Sequence, residues 1–265
     1  VNDMYIGASL LLYGEWSQQE VSVMGLNLRP DSIVVDVGAN IGAMTVPLAR
    51  RVPKGRVIAF EPQRVISQIL SANIQLNGLA NVDVRRAVAG RHGAASTIDV
   101  PEMDPATVNN FGGLSLMSST NSHKRTTSPG DIRGWNTVPS TPLDSLNLPK
   151  IDLLKVDAQG MEALVLEGGR LTIERDLPVL YMEYESQSRD LYNVVRSLGP
   201  YECYHHAPFI YTKDNFRQEK HDIFPNMRSF NIYCVARPDS IVPDWLAGNN
   251  LENFALPEIK AEGAR

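Results

Sequence analysis

The stretch Ile33-Val34-Val35-Asp36-Val37-Gly38-Ala39-Asn40-Ile41-Gly42 (IVVDVGANIG) decides the fold of this chain. Its first half is a short β-branched apolar run, which is typical of a buried parallel strand. Two glycines then bend the chain and leave bare backbone that a ligand can approach closely. Because a helical pattern follows, the free N–H groups and the positive dipole end of that helix face the turn. The stretch therefore predicts a strand, a turn and a helix that together bind a small molecule.

The rest of the chain repeats this alternation of strands and helices. Further strands are placed at 56–60, 82–88, 151–156 and 179–184, helices at 67–76, 161–167 and 187–198, and two terminal strands at 201–206 and 229–236. No convincing helix separates the two terminal strands, which therefore predict an antiparallel hairpin. Together these elements predict a Rossmann-like α/β sheet, mostly parallel, with helices on both faces. Ligands bind such sheets at the carboxyl ends of the strands.

A single domain over residues 1–265 accommodates these elements, because a chain of this length can bury one large core. Residues 1–30 form a lead-in, and residues 94–100 are a candidate extra strand. Residues from about 101 to 142 are rich in Ser, Thr, Asn, Gly and Pro and predict a long loop-rich insertion. Such a loop is either functional or disordered. A lid over substrate and a surface loop both stay open, and residues 109–115 (NNFGGLS) suit either a polar substrate or a plain turn.

Composition limits the partners. The net charge of −5 and a pI near 5.6 give no general attraction for nucleic acids or anionic membranes. No apolar run approaches the ~20 residues that a membrane helix needs. We therefore expect a cytoplasmic protein without a nucleic-acid or membrane partner. The chain starts at Val1, so an upstream domain is left open, as is a homo-oligomer. Cys203 and Cys234 fit neither a disulfide framework nor a zinc cluster and predict two buried small hydrophobes.

The cofactor is predicted from the turn and one later carboxylate. Glu61 lies 25 positions after Asp36, at the end of the next strand, where its carboxylate can accept both hydroxyl hydrogens of a ribose. Nicotinamide enzymes use this geometry with the spacing G-x-G-x-x-G, but Asn40 and Ala43 replace the later glycines here. Asn40 restricts the approach of a pyrophosphate, whereas S-adenosylmethionine has none, and Asp36 suits its sulfonium cation. S-adenosylmethionine is therefore the predicted cofactor.

Three segments resemble the FkbM family of methyltransferases. They are residues 34–63 (VVDVGANIGAMTVPLARRVPKGRVIAFEPQ), 111–116 (FGGLSL) and 143–169 (LDSLNLPKIDLLKVDAQGMEALVLEGG), and the lead-in 13–21 (YGEWSQQEV) is also typical. The resemblance covers roughly residues 4–185 and implies a class I O-methyltransferase that acts on hydroxyls of sugars, glycans or natural products. It also implies that the lead-in closes over the methionine end of the cofactor, although a hydrophobic staple for the next helix is the alternative. The expected cofactor-binding residues are Tyr13, Glu15, Asp36, Gly38, Ala39, Asn40, Gly42, Glu61 and Ala87.

The candidates for the catalytic base lie at the carboxyl ends of the fourth and fifth predicted parallel strands. The family usually has D-V-E-G-x-E after its fourth strand, but this chain has Gln159 at the position of the first glutamate. Asp157 is the first candidate base, and a cap of the following helix is its alternative role. Glu162 fits a structural role in the first turn of that helix. Glu183 and Glu185 share one face of their strand, so Glu183 is the second catalytic candidate.

Several alternatives stay open. The histidines at 123, 205, 206 and 221 are rival bases, and one of them could join Asp157 and Glu183 as metal ligands, but no metal site is predicted. A nicotinamide-dependent reductase would share the nucleoside site. A catalytically silent binding module would fit Gln159 as a mark of lost chemistry. An RNA methyltransferase would need the basic residues 50–56 and 85–86 to cluster, whereas scattered surface charge is the simpler interpretation.

Overall fold

The computed structural model describes residues 2–93, 96–114, 116, 132–184 and 189–251. The strands in chain order are β1 (Ile33–Val37), β2 (Arg56–Phe60), β3 (Val82–Arg85), β4 (Val88–Ala89), β5 (Thr97–Met103), β6 (Ile132–Thr141), β7 (Leu153–Val156), β8 (Val179–Glu183), β9 (Glu202–His206) and β10 (Asn231–Val235). The helices are α1 (Ile6–Tyr13), α2 (Gln18–Met24), α3 (Thr45–Arg51), α4 (Arg64–Leu76), α5 (Glu162–Gly168), α6 (Arg170–Asp176), α7 (Arg189–Ser197) and α8 (Asp244–Ala247). Short 3-10 turns lie at Gly25–Asn27 and Leu143–Leu146.

The main sheet has seven strands in the order β3-β2-β1-β7-β8-β10-β9. The five strands from β3 to β8 run parallel, with Val34 of β1 paired to Val57 of β2 and to Leu153 of β7. β10 runs antiparallel to β8 and to β9. The predicted parallel sheet with a C-terminal antiparallel pair is thus confirmed. The strand order reverses between β1 and β7, which is where parallel sheets of this kind bind ligands.

Helices cover both faces because successive strand residues point to opposite sides. Val34 and Leu153 face the side covered by α2, α3 and α8. Their neighbours Val35 and Leu154 face the side covered by α5, α6 and α7. All four side chains are fully buried, which explains why the central strands are continuously apolar. None of the helices in the described ranges is long and apolar enough to cross a membrane.

A second, three-stranded sheet corrects two predictions. The strand predicted at 82–88 ends at Arg85, and Val88 starts β4 in the second sheet. The predicted loop-rich insertion instead contains the end of β5 and all of β6, which pair antiparallel, while β4 and β6 pair parallel. Val88, Val100 and Val138 form a small core with Met161, so few apolar residues suffice for these strands. The polar residues of β5 and β6 explain why this part of the sequence resembles a loop.

Helix α6 is absent from the predicted elements, in which a helix at 161–167 is followed by the strand at 179–184. Helices α5 and α6 are almost continuous, because α5 ends at Gly168 and α6 starts at Arg170. A Cβ atom on Gly168 would lie 1.8 Å from the carbonyl oxygen of Gly90. Gly168 is therefore required for the close contact between α5 and the end of β4. The other boundaries differ from the predicted ones by up to three residues.

The prediction of two unpaired cysteines is wrong. Cys203 and Cys234 form a disulfide, and both are fully buried. They lie directly opposite each other in the register of β9 and β10. The two positions are 31 residues apart in the sequence, so only the strand register brings them together.

Candidate active site

A cavity of about 350 Å³ opens at the carboxyl ends of β1, β2 and β7, where the strand order reverses. This volume falls in the range of about 300–1,000 Å³ that is usual for small-molecule sites. The turn after β1 forms its floor, and residues of the lead-in, of the insertion and of the segment between β9 and β10 form its walls. Of the nine predicted cofactor-binding residues, five line this cavity: Gly38, Ala39, Asn40, Glu61 and Ala87.

The glycine turn after β1 has the shape that its sequence predicts. Gly38 has a φ of +76°, and a Cβ atom there would lie 1.9 Å from the backbone oxygen of Asp157. Glycine is therefore required where the turns after β1 and β7 meet. Asn40 is also left-handed, with a φ of +49°, and its Oδ1 accepts a hydrogen bond of 2.6 Å from the N–H of Ile41. Asparagine tolerates this conformation through such local bonds.

Glu61 lies at the end of β2 with only 3% of its surface exposed. Its Oε2 accepts a hydrogen bond of 3.0 Å from the N–H of Asn40, and its Oε1 accepts one of 2.9 Å from the N–H of Gln63. Burial raises the pKa of Glu61 to about 7, although these two bonds act in the opposite direction. Each carboxylate oxygen has two acceptor positions. Both oxygens thus have an acceptor position left for the two hydroxyls of a ribose.

Asp36 was expected to face the sulfonium, but it lies behind the cavity wall. Its Oδ2 accepts a hydrogen bond of 2.6 Å from Thr45, and the Nζ of Lys155 lies 3.1 Å from its Oδ1. Lys155 also donates to the carbonyl oxygen of Gly38 at 2.8 Å. Burial is the largest single effect and lowers the pKa of Lys155, but the charges of Asp36, Asp157 and Glu20 together with the hydrogen bond to Asp36 outweigh it, so this pKa is raised. The buried ion pair therefore supports the turn from below. Gly42 is likewise absent from the cavity lining.

One end of the cavity carries two carboxylates, those of Asp157 and Glu183, and one amide bonds to both. The Nε2 of Gln159 donates to Oδ1 of Asp157 at 2.7 Å and to Oε2 of Glu183 at 2.8 Å. All three side chains line the cavity. The alternative role of Asp157 as a helix cap is not seen, since no side chain caps the start of α5. Glu162 instead holds the turn, because it accepts hydrogen bonds from the N–H groups of Ala158 and Gly160.

The lead-in lines the cavity with residues other than the predicted Tyr13 and Glu15. Tyr13 and Glu15 do not line the cavity. The hydroxyl of Tyr13 accepts a bond from the N–H of Ile223, and Glu15 accepts one from the N–H of Phe216, so both fasten the lead-in to the segment after β9. Trp16 and Glu20 line the cavity in their place. No sequence signal separates these residues from Tyr13 and Glu15, because all lie within the typical YGEWSQQEV stretch.

Glu20 adds a buried carboxylate to the cavity wall. It is only 5% exposed and accepts a hydrogen bond of 2.5 Å from the hydroxyl of Ser17. Burial raises the pKa of Glu20, and the Ser17 bond partly offsets this rise. A carboxylate in this position fits an ammonium group, such as that of a methionine moiety.

The rival histidines contribute nothing to the cavity lining within the described ranges. Burial lowers the pKa of His206 to about 4, so its ring is neutral, and its Nδ1 lies 2.8 Å from the hydroxyl of Tyr181. His123 and Glu185 lie outside the described residues.

The insertion contributes a wall of the cavity. Asn110, Phe111, Gly112, Gly113 and Leu114 line it, and the side chain of Gln63 donates to the carbonyl oxygen of Phe111 at 2.8 Å. This stretch therefore packs beside the nucleoside end, at the place where a lid is predicted. Ser115 lies outside the described residues.

These residues fit S-adenosylmethionine. Glu61 suits the ribose, and the small side chain of Ala87 leaves room beside it for a flat base. Glu20 and the carbonyl oxygen of Gly38 suit the methionine ammonium group. No backbone cradle for a pyrophosphate is needed, and Asn40 stands where such a cradle would require glycine.

Comparison with known proteins supports this assignment. The chain is 28% identical over 166 residues to methyltransferase sdnD of Sordaria araneosa, covering 54% of this chain and 62% of that protein. It is 26% identical over 145 residues to methyltransferase 1 of Beauveria bassiana, covering 52% and 58%. A stretch of 50 residues is 50% identical to the AMB antimetabolite synthetase AmbE of Pseudomonas aeruginosa, covering 19% and 2%. The chain thus matches about three fifths of the two methyltransferases and a small part of the synthetase.

A solved structure shares the fold. The crystal structure of methyltransferase FkbM from Methylobacillus flagellatus matches 79% of this chain and 44% of its own chain, with a TM-score of 0.50 and 20% identity. The family described as "Methyltransferase FkbM domain" matches residues 36–217, which is more than half of the chain. The chain belongs to the FkbM methyltransferase family, and its cofactor is S-adenosylmethionine.

Proposed function

We propose that this methyltransferase transfers its methyl group to a hydroxyl oxygen of a sugar, a glycan or a natural-product scaffold. The observation that carries the proposal is the pair of carboxylates, Asp157 and Glu183, at the cavity end beyond the glycine turn. A hydroxyl is a weak nucleophile near neutral pH, so its methylation needs a group that accepts its proton.

In this proposal, residues at one end of the cavity bind the cofactor and residues at the other end bind the acceptor. Glu61 and Glu20 bind and orient the cofactor, which supplies an electrophilic methyl group on its sulfonium. Asp157 accepts the hydroxyl proton, and Glu183 orients the acceptor from the neighbouring strand. Alignment of the acceptor oxygen with the methyl carbon supplies much of the rate in a displacement of this kind. Phe111 and Trp16 line the cavity and, in this proposal, limit the access of water to it.

The acceptor class follows from the names of the relatives and from the shape of the site. One matched protein is named as an antimetabolite synthetase, which agrees with an acceptor from natural-product biosynthesis. In this proposal the acceptor binds at the cavity end that carries Asp157 and Glu183, which we call the acceptor end. The lining of the cavity as a whole combines carboxylates and amides with apolar side chains such as those of Leu116, Met161 and Ile210. Such a mixed lining suits a scaffold that carries hydroxyls on an apolar frame.

The test combines cofactor binding with turnover. S-adenosylhomocysteine and NADH are titrated by calorimetry, and methyl transfer from labelled S-adenosylmethionine is measured on a panel of hydroxylated acceptors. We expect binding of S-adenosylhomocysteine, no binding of NADH and methylation of at least one acceptor. Preferential binding of NADH would contradict the proposal and favour a reductase. Binding without turnover across the panel would favour the silent module.

The Asp157→Asn variant tests the proposed base. Loss of a general base typically costs about 10²–10⁴-fold in turnover. We expect kcat to fall by that factor while the affinity for S-adenosylhomocysteine stays within about twofold, because Asp157 contacts the acceptor rather than the adenosine in this proposal. Asp239→Asn, at an exposed position outside the cavity, is the matched control and keeps full activity. Unchanged turnover in Asp157→Asn would reject Asp157 as the base.

A further inference from the structure

Gln159 is placed to act on both carboxylates at once. Its Nε2 lies 2.7 Å from Oδ1 of Asp157 and 2.8 Å from Oε2 of Glu183. An amide nitrogen carries two hydrogens, one for each bond, whereas an amide oxygen has none to donate. Both partners are acceptors when they are ionised, so they determine which way the amide points. A single neutral group thus links the residue that follows β7 to the last residue of the neighbouring strand β8.

The backbone at Gln159 is held in an unfavourable conformation. Its φ of +50° lies in the left-handed region, which is unfavourable for a residue that carries a side chain. The turn keeps this conformation because Glu162 accepts the N–H groups on either side, those of Ala158 and Gly160. Strained residues that their surroundings hold in place occur often at functional sites. In this conformation the amide of Gln159 bonds to both carboxylates.

The electrostatic consequence concerns the charge of the pair. Two carboxylates that share a site raise each other's proton affinity, so that one of them tends to hold a proton. A donor that bonds to both ionised forms acts in the opposite direction. Three other charged groups act on Asp157. In addition to the effect of burial, the charge of Asp157 raises the pKa of Lys155, which also forms an ion pair with Asp36, and it raises the pKa values of the Glu20 and Glu162 carboxyls. The amide of Gln159 differs from these groups because it donates a hydrogen bond to each carboxylate of the pair.

We infer that Gln159 is a positioning residue that keeps Asp157 and Glu183 both ionised and fixed relative to each other at the acceptor end. This inference rests on the proposed function. As the acceptor oxygen bonds to the methyl carbon and the carbon–sulfur bond breaks, the hydroxyl proton passes to Asp157. Glu183 keeps its negative charge throughout, and S-adenosylhomocysteine leaves with the electron pair on sulfur. Gln159 stays neutral and exchanges no proton.

The two carboxyl groups can be observed without knowing the acceptor. The whole chain is labelled with ¹³C at its Asp and Glu carboxyl carbons and titrated by NMR, and Asp157→Asn and Glu183→Gln identify the two signals. Gln159→Met keeps the side-chain length but has no hydrogen to donate. We expect one of the two pKa values to rise by about one unit in Gln159→Met, a tenfold gain in proton affinity. Unchanged values in this variant would overturn the inference.

A second variant provides an independent test in case the first does not fold. Gln159→Glu adds a third carboxyl group between the two, so the cluster should retain a proton about two pH units higher than the wild type does. If Gln159→Met does not fold, this shift decides the question. Circular dichroism reports folding of each variant. Loss of folding in both variants would make Gln159 a structural residue and would also overturn the inference, because Glu162 alone should hold the turn.

Titration of the same samples with S-adenosylhomocysteine separates this inference from the proposed function. Gln159 lies at the acceptor end, so we expect both variants to bind within about threefold of the wild-type affinity. Failure of the wild-type protein to bind would count against the proposed function, whatever the carboxyl titration shows. Normal binding with unchanged carboxyl pKa values would count against the role of Gln159 alone.

Discussion

Gly38 shows how a single residue connects the sheet to the site. Its missing side chain lets the turn after β1 approach the backbone of Asp157 closely. The same turn presents the N–H of Asn40 to Glu61 and a carbonyl oxygen to Lys155. The sequence predicts the glycine turn and the ribose carboxylate because both are local motifs at strand ends. The contact with Asp157 joins positions 119 residues apart and has no local signal.

Gly38→Ala should destabilise the protein strongly. A Cβ there meets a backbone oxygen and adds strain at positive φ, so we expect a loss of about 3 kcal/mol or more in the free energy of unfolding. Gly78→Ala also has positive φ but open space around the new atom, and should lose about 1 kcal/mol. Urea denaturation measures both. Gly248→Ala, with ordinary φ and open space, is the neutral control, and equal losses in all three variants would refute the contact argument.

At the scale of elements, the buried apolar strands were predictable, whereas the longer polar strand β6 was not and β5 was predicted only in part. β1, β7 and β8 are buried on both faces, so their composition alone marks them. β5 and β6 are only partly buried and mix apolar residues with Thr, Asp, Asn and Pro, which also occur in loops. Their pairing depends on partners far along the chain. The disulfide between β9 and β10 depends on strand register in the same way.

The disulfide should stabilise the C-terminal strand pair. A native disulfide contributes typically about 2–4 kcal/mol by restricting the unfolded chain. We expect that loss in the free energy of unfolding for the Cys203→Ser, Cys234→Ser double variant, compared with wild type by denaturation without reductant. Unfolded wild-type protein should show no reactive thiol before reduction and two after it. Two thiols before reduction would contradict the pairing. Since disulfides persist in oxidising compartments, a cytoplasmic location stays a prediction that this measurement also bears on.

At the scale of the whole molecule, the fold buries the carboxyl group of Glu61, and ionising this buried group lowers the stability of the protein. Burial at the carboxyl end of β2 raises the pKa of Glu61 to about 7, above its ordinary value of 4.5. An acid whose folded pKa is raised gives full stability below its unfolded pKa and loses it as the pH rises to the folded value. Glu61 therefore lowers the free energy of unfolding near neutral pH, where it becomes ionised. The sequence predicts which carboxylate is involved but not its burial, which depends on the insertion and on α4.

The pH dependence of stability should reveal this loss. Between pH 4.5 and 7.5, the free energy of unfolding of wild type should fall relative to Glu61→Gln by about 3 kcal/mol, since one pKa unit is worth about 1.4 kcal/mol. Denaturation of both proteins across this range measures the difference. Glu167→Gln, at an exposed position on α5, is the matched control. A wild-type to Glu61→Gln difference that does not change with pH would contradict the raised pKa.

The central claim is that the turn at Gly38 and the carboxylate of Glu61 hold the adenosine part of the cofactor. A crystal structure with S-adenosylhomocysteine tests it most directly. The account predicts both ribose hydroxyls within hydrogen-bonding distance of Glu61, with the sulfur directed toward Asp157 and Glu183. Adenosine bound elsewhere, or Glu61 turned away from the ribose, would contradict it.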